Sequence, residues 1–125
     1  MSTLLTIGCG GFLGAISRYL VSGWIYTIFG TGMPYGTLTV NIVGSFLLGI
    51  VAQLMIAGNF LTTTTSSFLS IGFLGAFTTF STFSVQTLEL LESGNPTKAL
   101  LNILLNLILC LIGAWGGLFI GRFFS

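Results

Sequence analysis

Gly72-Phe73-Leu74-Gly75-Ala76-Phe77-Thr78-Thr79-Phe80-Ser81-Thr82-Phe83-Ser84 lies inside a hydrophobic segment long enough to cross a bilayer, yet it is a poor spanning sequence. Phe77, Phe80 and Phe83 recur at every third position, and Thr78, Thr79, Ser81 and Thr82 fill the gaps. Gly72 and Gly75 precede the run. In hydrocarbon no water satisfies a backbone N–H or C=O, so an irregular, hydroxyl-rich stretch survives there only when buried in protein or lining a cavity. The stretch therefore predicts a helix broken at membrane depth, near 75–79, and the rest of the chain is read around that break.

The chain has 125 residues, 54% of them hydrophobic and 4% charged, with mean hydropathy +1.07. Soluble domains carry about 25% charged residues. A chain this poor in charge cannot cover a water-exposed surface, and it reads as an all-α integral membrane protein. Its length accommodates four spans of about 20 residues with short connections. They are expected at 4–29, 37–57, 68–92 and 96–123, in a single membrane domain over 1–125. The net charge of +1 leaves no electrostatic footprint for nucleic acid. No Lys or Arg precedes the first apolar run, which continues past signal-peptide length, so it is expected to remain as the first helix. Cys9 has no Leu three residues before it, which argues against a lipoprotein. The chain lacks His, and Cys9 and Cys110 sit in different apolar segments, so they read as small buried hydrophobes and not as zinc ligands. Nucleotide, haem and phosphate-loop motifs are absent as well, and nothing points to an enzyme.

The first span opens with Gly8, Gly10, Gly11 and Gly14, and the Gly10/Gly14 pair has the small-xxx-small spacing that lets two helices approach closely. It also holds Arg18, the one charge well inside an apolar segment. Two readings stand side by side: a guanidinium snorkelling to the interface beside Tyr19 and Trp24, or one facing a water-filled vestibule, where it concentrates anions. After a short loop at 30–36, the second span carries Asn41, Gly44, Ser45, Gly49 and Gln53 on a small, polar stripe suited to helices and not to lipid. Asn41 reads either as interhelical glue or as a two-proton donor to an anion. Gly58 to Ser67, rich in threonine, reads as a loop. The third span closes with Glu89 and Glu92, which oppose the helix dipole and so should face water. Asn95 and Pro96 form an N-cap and first-turn pair for the fourth span. There Asn102, Asn106, Cys110 and Gly113 share a face, and Gly113, Gly117 and Gly121 extend a close-packing surface.

Four spans put both termini on one side with the loop at 58–67, opposite the loops at 30–36 and 93–97. Arg122 flanks one side and Lys98 the other, so with Arg18 set aside the positive-inside rule gives no preferred orientation. A chain without bias inserts both ways, which permits an antiparallel, dual-topology homodimer. Four helices fill their own interior, so a pore is expected to need two copies, with the glycine stripes at their contact. In such a pair the broken third spans cross near the midplane. A small cation there satisfies their exposed carbonyls, which Gly75 and Thr78 are well placed to offer.

Gly36-Thr37-Leu38-Thr39-Val40-Asn41, taken together with Gly75-Ala76-Phe77-Thr78-Thr79-Phe80-Ser81-Thr82-Phe83-Ser84, resembles the signatures of the Fluc (CrcB-type) fluoride channels. Gly11 to Tyr19, with Arg18, is similar to the family's N-terminal signature, and the likeness extends over nearly the whole chain. The resemblance implies an antiparallel, dual-topology homodimer in the lipid bilayer of the cell (inner) membrane, with two separate fluoride pores. It implies that Asn41 donates hydrogen bonds to the ion and that Phe80 and Phe83 present ring edges to it, the two rings of each pore coming from opposite subunits. Thr37 and Thr82, with Asn106 and Cys110, correspond to a polar track beside the phenylalanines, and Ser81 adds a hydroxyl to the pore. The backbone carbonyls of Gly75 and Thr78 correspond to the ligands of a central structural sodium ion (Na+). Two positions depart from the pattern: Gln86 stands where many members have glutamate, and Cys110 where a serine hydroxyl is common.

The physical chemistry agrees with this assignment. A phenyl ring has a positive edge and a negative face, so it attracts an anion edge-on without the full charge that would trap it. Fluoride is small and strongly hydrated, and a pore must replace its water with amide, hydroxyl and ring-edge contacts. Taken alone, the three phenylalanines would read as ordinary packing. Beside hydroxyls, a glycine break and Asn41, they read as the lining of a passive, fluoride-selective channel. A proton-coupled fluoride transporter needs a titratable group in its path, yet the interior of the spans holds no Asp, His or Lys, and Glu89 and Glu92 lie near a helix end. A small multidrug transporter shares the size and topology but wants a carboxylate deep in the first helix, where this chain has Arg18. A structural subunit of a larger complex is opposed by the two motifs alone.

Overall fold

The computed structural model describes residues 2–58 and 61–125, which form helices and short connections only. Helix α1 (Ser2–Phe29) and α2 (Tyr35–Ala57) precede a third span made of several pieces. Its first half begins as α3 (Thr63–Ser66), continues through the wide i→i+5 turns of a π-helical stretch (Ser67–Leu74), and ends in one further turn, α4 (Gly75–Phe77). After a break at Thr78 and Thr79 the second half follows as α5 (Phe80–Glu92), and α6 (Pro96–Phe124) closes the chain. Four segments, Ser2–Phe29, Tyr35–Ala57, Thr63–Glu92 and Pro96–Phe124, are long and apolar enough to cross a membrane. The chain is a multi-pass membrane protein.

The distribution of side chains is the reverse of a soluble protein's. Phe12, Tyr19, Leu20, Trp24, Leu111, Trp115 and Phe123 all stand outward on α1 and α6, each more than 60% exposed. The buried set is mixed, joining Val40, Leu74, Phe77 and Ala99 to Thr37, Thr79, Thr87, Asn102 and Asn106. Lipid solvates the outward apolar groups as well as a protein interior would, so polarity collects where helices meet each other.

The ends of the helices follow from local chemistry. Gly30, Gly58 and Gly94 take φ of 81°, 78° and 83°, the left-handed region in which a chain turns out of a helix and which a side chain disfavours. Pro96 opens α6, where its missing N–H removes no helical bond. Asn95 occupies the N-cap position, but its side chain does not cap. Its Nδ2 instead donates to Ser93 Oγ at 3.1 Å. The third span starts at Thr63, inside the stretch read from sequence as a loop. Thr62 makes this possible: its Oγ1 accepts the Thr65 N–H at 3.1 Å and so caps the first turn. The rest of that expected loop includes Asn59 and Phe60, which lie outside the described residues.

Glycine brings the spans together within one chain. On α2 and α6 the backbones approach so closely that a Cβ built on Gly117 would collide with Phe46 O and stand 3.0 Å from the Cα of Gly49. Gly113 and Gly121 continue this seam against Ile42 and Gln53. Gly10 and Gly14 do the same for α1, facing the backbone of Phe68, Gly72 and Phe73 in the π-helical stretch. The stripes expected from sequence to lie at a subunit contact are therefore engaged inside the chain. Small-xxx-small spacing signals close approach without saying to which helix.

Gly117→Ala is expected to lower the thermal unfolding midpoint in detergent through overpacking, at a cost of about 1–3 kcal/mol. Gly23→Ala, with nothing within 4 Å of the added carbon, should leave the midpoint unchanged or raise it. Equal midpoints for the two variants would mean that the seam tolerates separation.

Candidate functional site

The break is built by redirected hydrogen bonds. Thr78 (φ −85°, ψ 159°) and Thr79 (φ −152°, ψ 118°) are extended, and α5 restarts at once. In an uninterrupted helix the Thr79 N–H would bond to Gly75 O, and the Thr82 N–H to Thr78 O. Here the Thr79 N–H donates to Asn41 Oδ1 at 2.8 Å, and the Thr82 N–H to Thr79 Oγ1 at 3.2 Å. Both donors are satisfied, as hydrocarbon requires. The carbonyls of Gly75 and Thr78 lose those helical partners, and Gly75 is exposed.

Asn41 grips both faces of the break. Besides accepting from the Thr79 N–H, its Nδ2 donates to Thr79 O at 3.0 Å and to Asn106 Oδ1 at 3.1 Å. Behind it the polar contacts continue. Asn106 Nδ2 donates to the backbone O of Asn102 at 2.9 Å and to Asn102 Oδ1 at 3.1 Å. Asn102 Nδ2 donates to Thr87 Oγ1 at 2.9 Å, and the Thr87 hydroxyl to Phe83 O at 2.7 Å.

Two cavities of about 340 Å³ each have Thr79 in their lining. One is a groove that brings together Asn41, Thr78, Phe80, Phe83, Asn106 and Cys110. Phe80 and Phe83 are neighbours in it, their ring centroids 5.4 Å apart and their planes tilted by 52°. Phe80 is 74% exposed and Phe83 only 8%, so one ring faces outward while the other is held inside. The second cavity collects Arg18, Ser22, Tyr26, Thr37, Thr82 and Gln86. Arg18 is half-buried at this cavity, Tyr19 lines it too but is largely exposed, and Trp24 is exposed outside it. No carboxylate lines either cavity among the described residues. Glu89 lines an adjoining hollow nearer the chain turns, beside Tyr26, Met33 and Gln86, of which Tyr26 and Gln86 also line the Arg18 cavity.

This geometry bears on chains of known kind. The family described as CrcB-like protein, Camphor Resistance (CrcB), matches residues 5–118. The chain belongs to the CrcB family. A relative from Campylobacter lari is 49% identical over 120 residues, covering 96% of this chain and 98% of its own length. Others from Geobacter sulfurreducens and Hydrogenovibrio crunogenus are 43% and 46% identical, with 98% of this chain covered in both cases and 98% and 93% of their own lengths. All three are named fluoride-specific ion channels. The CrcB family is thus one of ion channels and not of enzymes.

In this CrcB chain the residues singled out from sequence divide between the two cavities. Asn41, Phe80, Phe83, Asn106 and Cys110 line the groove, while Arg18, Thr37 and Thr82 line the other cavity. Ser81 lines neither; it is exposed, with its hydroxyl 3.5 Å from that of Thr79. Thr79 itself, read only as one hydroxyl among several, is the common wall. The sequence alone gives Thr87 and Asn102 no role in a site. The available signal was their spacing, since Thr87 follows Phe83 by four residues and Asn102 precedes Asn106 by four.

Asn41→Leu leaves the buried Thr79 N–H and Asn106 Oδ1 without partners, at about 1–3 kcal/mol each, while Thr79 O keeps its bond within α5. Thr79→Val removes only the cap hydroxyl, for about 1 kcal/mol. Thermal unfolding should accordingly rank Asn41→Leu as the more destabilised, and the opposite order would deny Asn41 its hold on the break.

Proposed function

We propose that this chain is a fluoride-selective passive ion channel that works as an antiparallel, dual-topology homodimer with two pores and exports cytoplasmic fluoride across the inner membrane. The observation that carries this reading is the junction at Thr79. Two cavities share Thr79 in their linings, which carry amide, hydroxyl and phenyl groups among aliphatic ones, with Arg18 in one and no carboxylate in either among the described residues. The near-full-length relatives named fluoride-specific ion channels support the choice of ion.

Fluoride entering beside Arg18 gains from the guanidinium's field without a full counter-charge in the groove. Thr37 and Thr82 supply hydroxyl donors. Asn41 then turns to the ion the amide protons that otherwise lie on Thr79 O and Asn106 Oδ1, exchanging one acceptor for another. Phe80 and Phe83 carry the ion on by their positive ring edges, with Asn106 and Cys110 alongside. A second copy laid antiparallel covers the outward Phe80 and the exposed Gly75. A proton-coupled exchanger would want a titratable carboxylate in these cavities; among the described residues they have none, and Glu89 stands in the adjoining hollow.

A structural sodium ion fits the backbone at the break. The carbonyls of Gly75 and Thr78, deprived of their helical donors, are neutral oxygen ligands of the kind a hard cation takes. When bound, sodium supplies the positive charge that compensates these carbonyl dipoles. Thr78 directs its hydroxyl to Leu74 O at 3.0 Å, away from that duty. Thr78→Ala should keep the thermal stabilisation that sodium gives over a large organic cation, and its loss would assign the contact to the hydroxyl.

Liposomes holding the purified chain, with voltage clamped by an ionophore, provide the principal test. Fluoride should leave rapidly and chloride should stay, without dependence on a pH gradient. Phe80→Ile, Phe83→Ile and Asn41→Asp should each reduce fluoride efflux severely with the elution profile unchanged. Fluoride accumulated uphill by protons would replace the channel by a transporter. Native efflux in both phenylalanine variants would remove the rings from the path.

A further inference from the structure

The amides behind the groove form one line across three helices, and groups of fixed polarity dictate which way each amide faces. At one end Thr79 offers a backbone N–H and a backbone C=O, which must meet Oδ1 and Nδ2 of Asn41 respectively. At the other end the Thr87 hydroxyl gives its proton to Phe83 O, so its oxygen is left to accept, and the Asn102 group facing it must be Nδ2. Between them, the backbone O of Asn102 demands the Nδ2 of Asn106. That choice turns Asn106 Oδ1 toward the remaining proton of Asn41. Every junction pairs a donor with an acceptor, and turning over any one amide sets like ends against each other. Asn102 is 1% exposed and Thr87 and Asn106 6% each, too little for water to relieve such a misfit.

We propose that Asn102 and Thr87 are positioning residues for anion selection. Thr79 and the backbone O of Asn102 set the sense of Asn41 and Asn106, and the side chains of Thr87 and Asn102 add the bonds that keep Asn106 Oδ1 accepting from Asn41, so that the Asn41 Nδ2 stays aimed at Asn106 and the groove. Neither Thr87 nor Asn102 lines the groove or the Arg18 cavity, so both act through the others. An amide turned the other way would present a carbonyl oxygen, whose partial negative charge repels an anion, in a groove of unchanged shape. This role rests on the fluoride-channel reading; the relay itself does not.

Thr87→Val keeps the shape of the side chain and removes the hydroxyl. Measured by fluoride and chloride electrodes, its fluoride efflux should fall about tenfold, the equivalent of one hydrogen bond of ordinary net strength. The fluoride-to-chloride ratio should fall with it, Thr87→Ser should restore both, and Asn102→Leu should follow Thr87→Val. Native efflux and ratio in Thr87→Val would overturn the selective role, as would loss of efflux that Thr87→Ser fails to restore. A second measurement is independent of transport. Thr87→Val and Asn41→Ala, alone and combined, are compared by unfolding midpoint. Thr87 and Asn41 share no direct contact, so unlinked sites would give additive shifts, whereas the relay predicts a combined shift smaller than the sum. Additive shifts overturn the relay whatever the efflux. A wild-type chain that moves no fluoride overturns the channel and the selective role together, and sub-additive midpoints would then still establish the relay.

Discussion

A helix interrupted in hydrocarbon has no water to bond with its freed backbone groups, and the structure is arranged around meeting that demand at Thr78 and Thr79. Two of the freed donors are met locally and from across the bundle: the Thr82 N–H by Thr79 Oγ1, and the Thr79 N–H by Asn41 Oδ1. The second contact requires α2 to come close to the break. Gly44, three residues after Asn41, makes the room, since a Cβ there would collide with the Thr78 side chain. On its far side α2 is held to α6 by the Gly49–Gly117 seam, and α6 in turn brings Asn106 to Asn41. Close glycine packing and the polar centre are therefore parts of one device. Separating α2 from α6 would withdraw the support of the amide that closes the break.

The sequence displayed the four spans and the break plainly, because charge-poor segments and a glycine-led run of hydroxyls have few other meanings in a membrane. Asn41 was visible as a polar group that hydrocarbon obliges to find a partner, but its partners were not. They lie 38 and 65 residues away, at Thr79 and Asn106, and no local period records such distances. Gly10, Gly14, Gly113 and Gly117 announced close contacts while leaving open whether the neighbour belonged to the same chain. The threonines at 62–65 looked like a loop because hydroxyls compete for backbone bonds. In the fold that same competition becomes the cap of the third span. Asn95 shows the converse, a residue with the chemistry of a cap whose side chain bonds to Ser93.

Charge is used sparingly along the two cavities, and the sparing has a physical purpose in the proposed channel. An ion that meets a fixed opposite charge in a low-dielectric site binds too firmly to leave, since Coulomb attraction there grows several-fold over its value in water. Neutral amide protons and ring edges attract more weakly and can be shared between neighbouring positions. Arg18 stands in the cavity on the far side of Thr79 from the phenylalanine groove, where it raises anion occupancy without holding an ion among the rings.

Asn41 then carries two obligations that meet in a single group. Its Oδ1 is bound to the Thr79 N–H, which keeps the break satisfied whether or not an anion is near. Its Nδ2 protons rest on Thr79 O and Asn106 Oδ1, acceptors that an anion can replace. Transfer of those protons to fluoride leaves two acceptors under-satisfied, and a carbonyl with two lone pairs tolerates this better than a buried N–H does. The division of labour within one amide lets the donor side serve the ion while the acceptor side goes on holding the helix ends together. A carboxylate at position 41 would accept from Thr79 equally well but would have no proton to give, and a leucine would do neither.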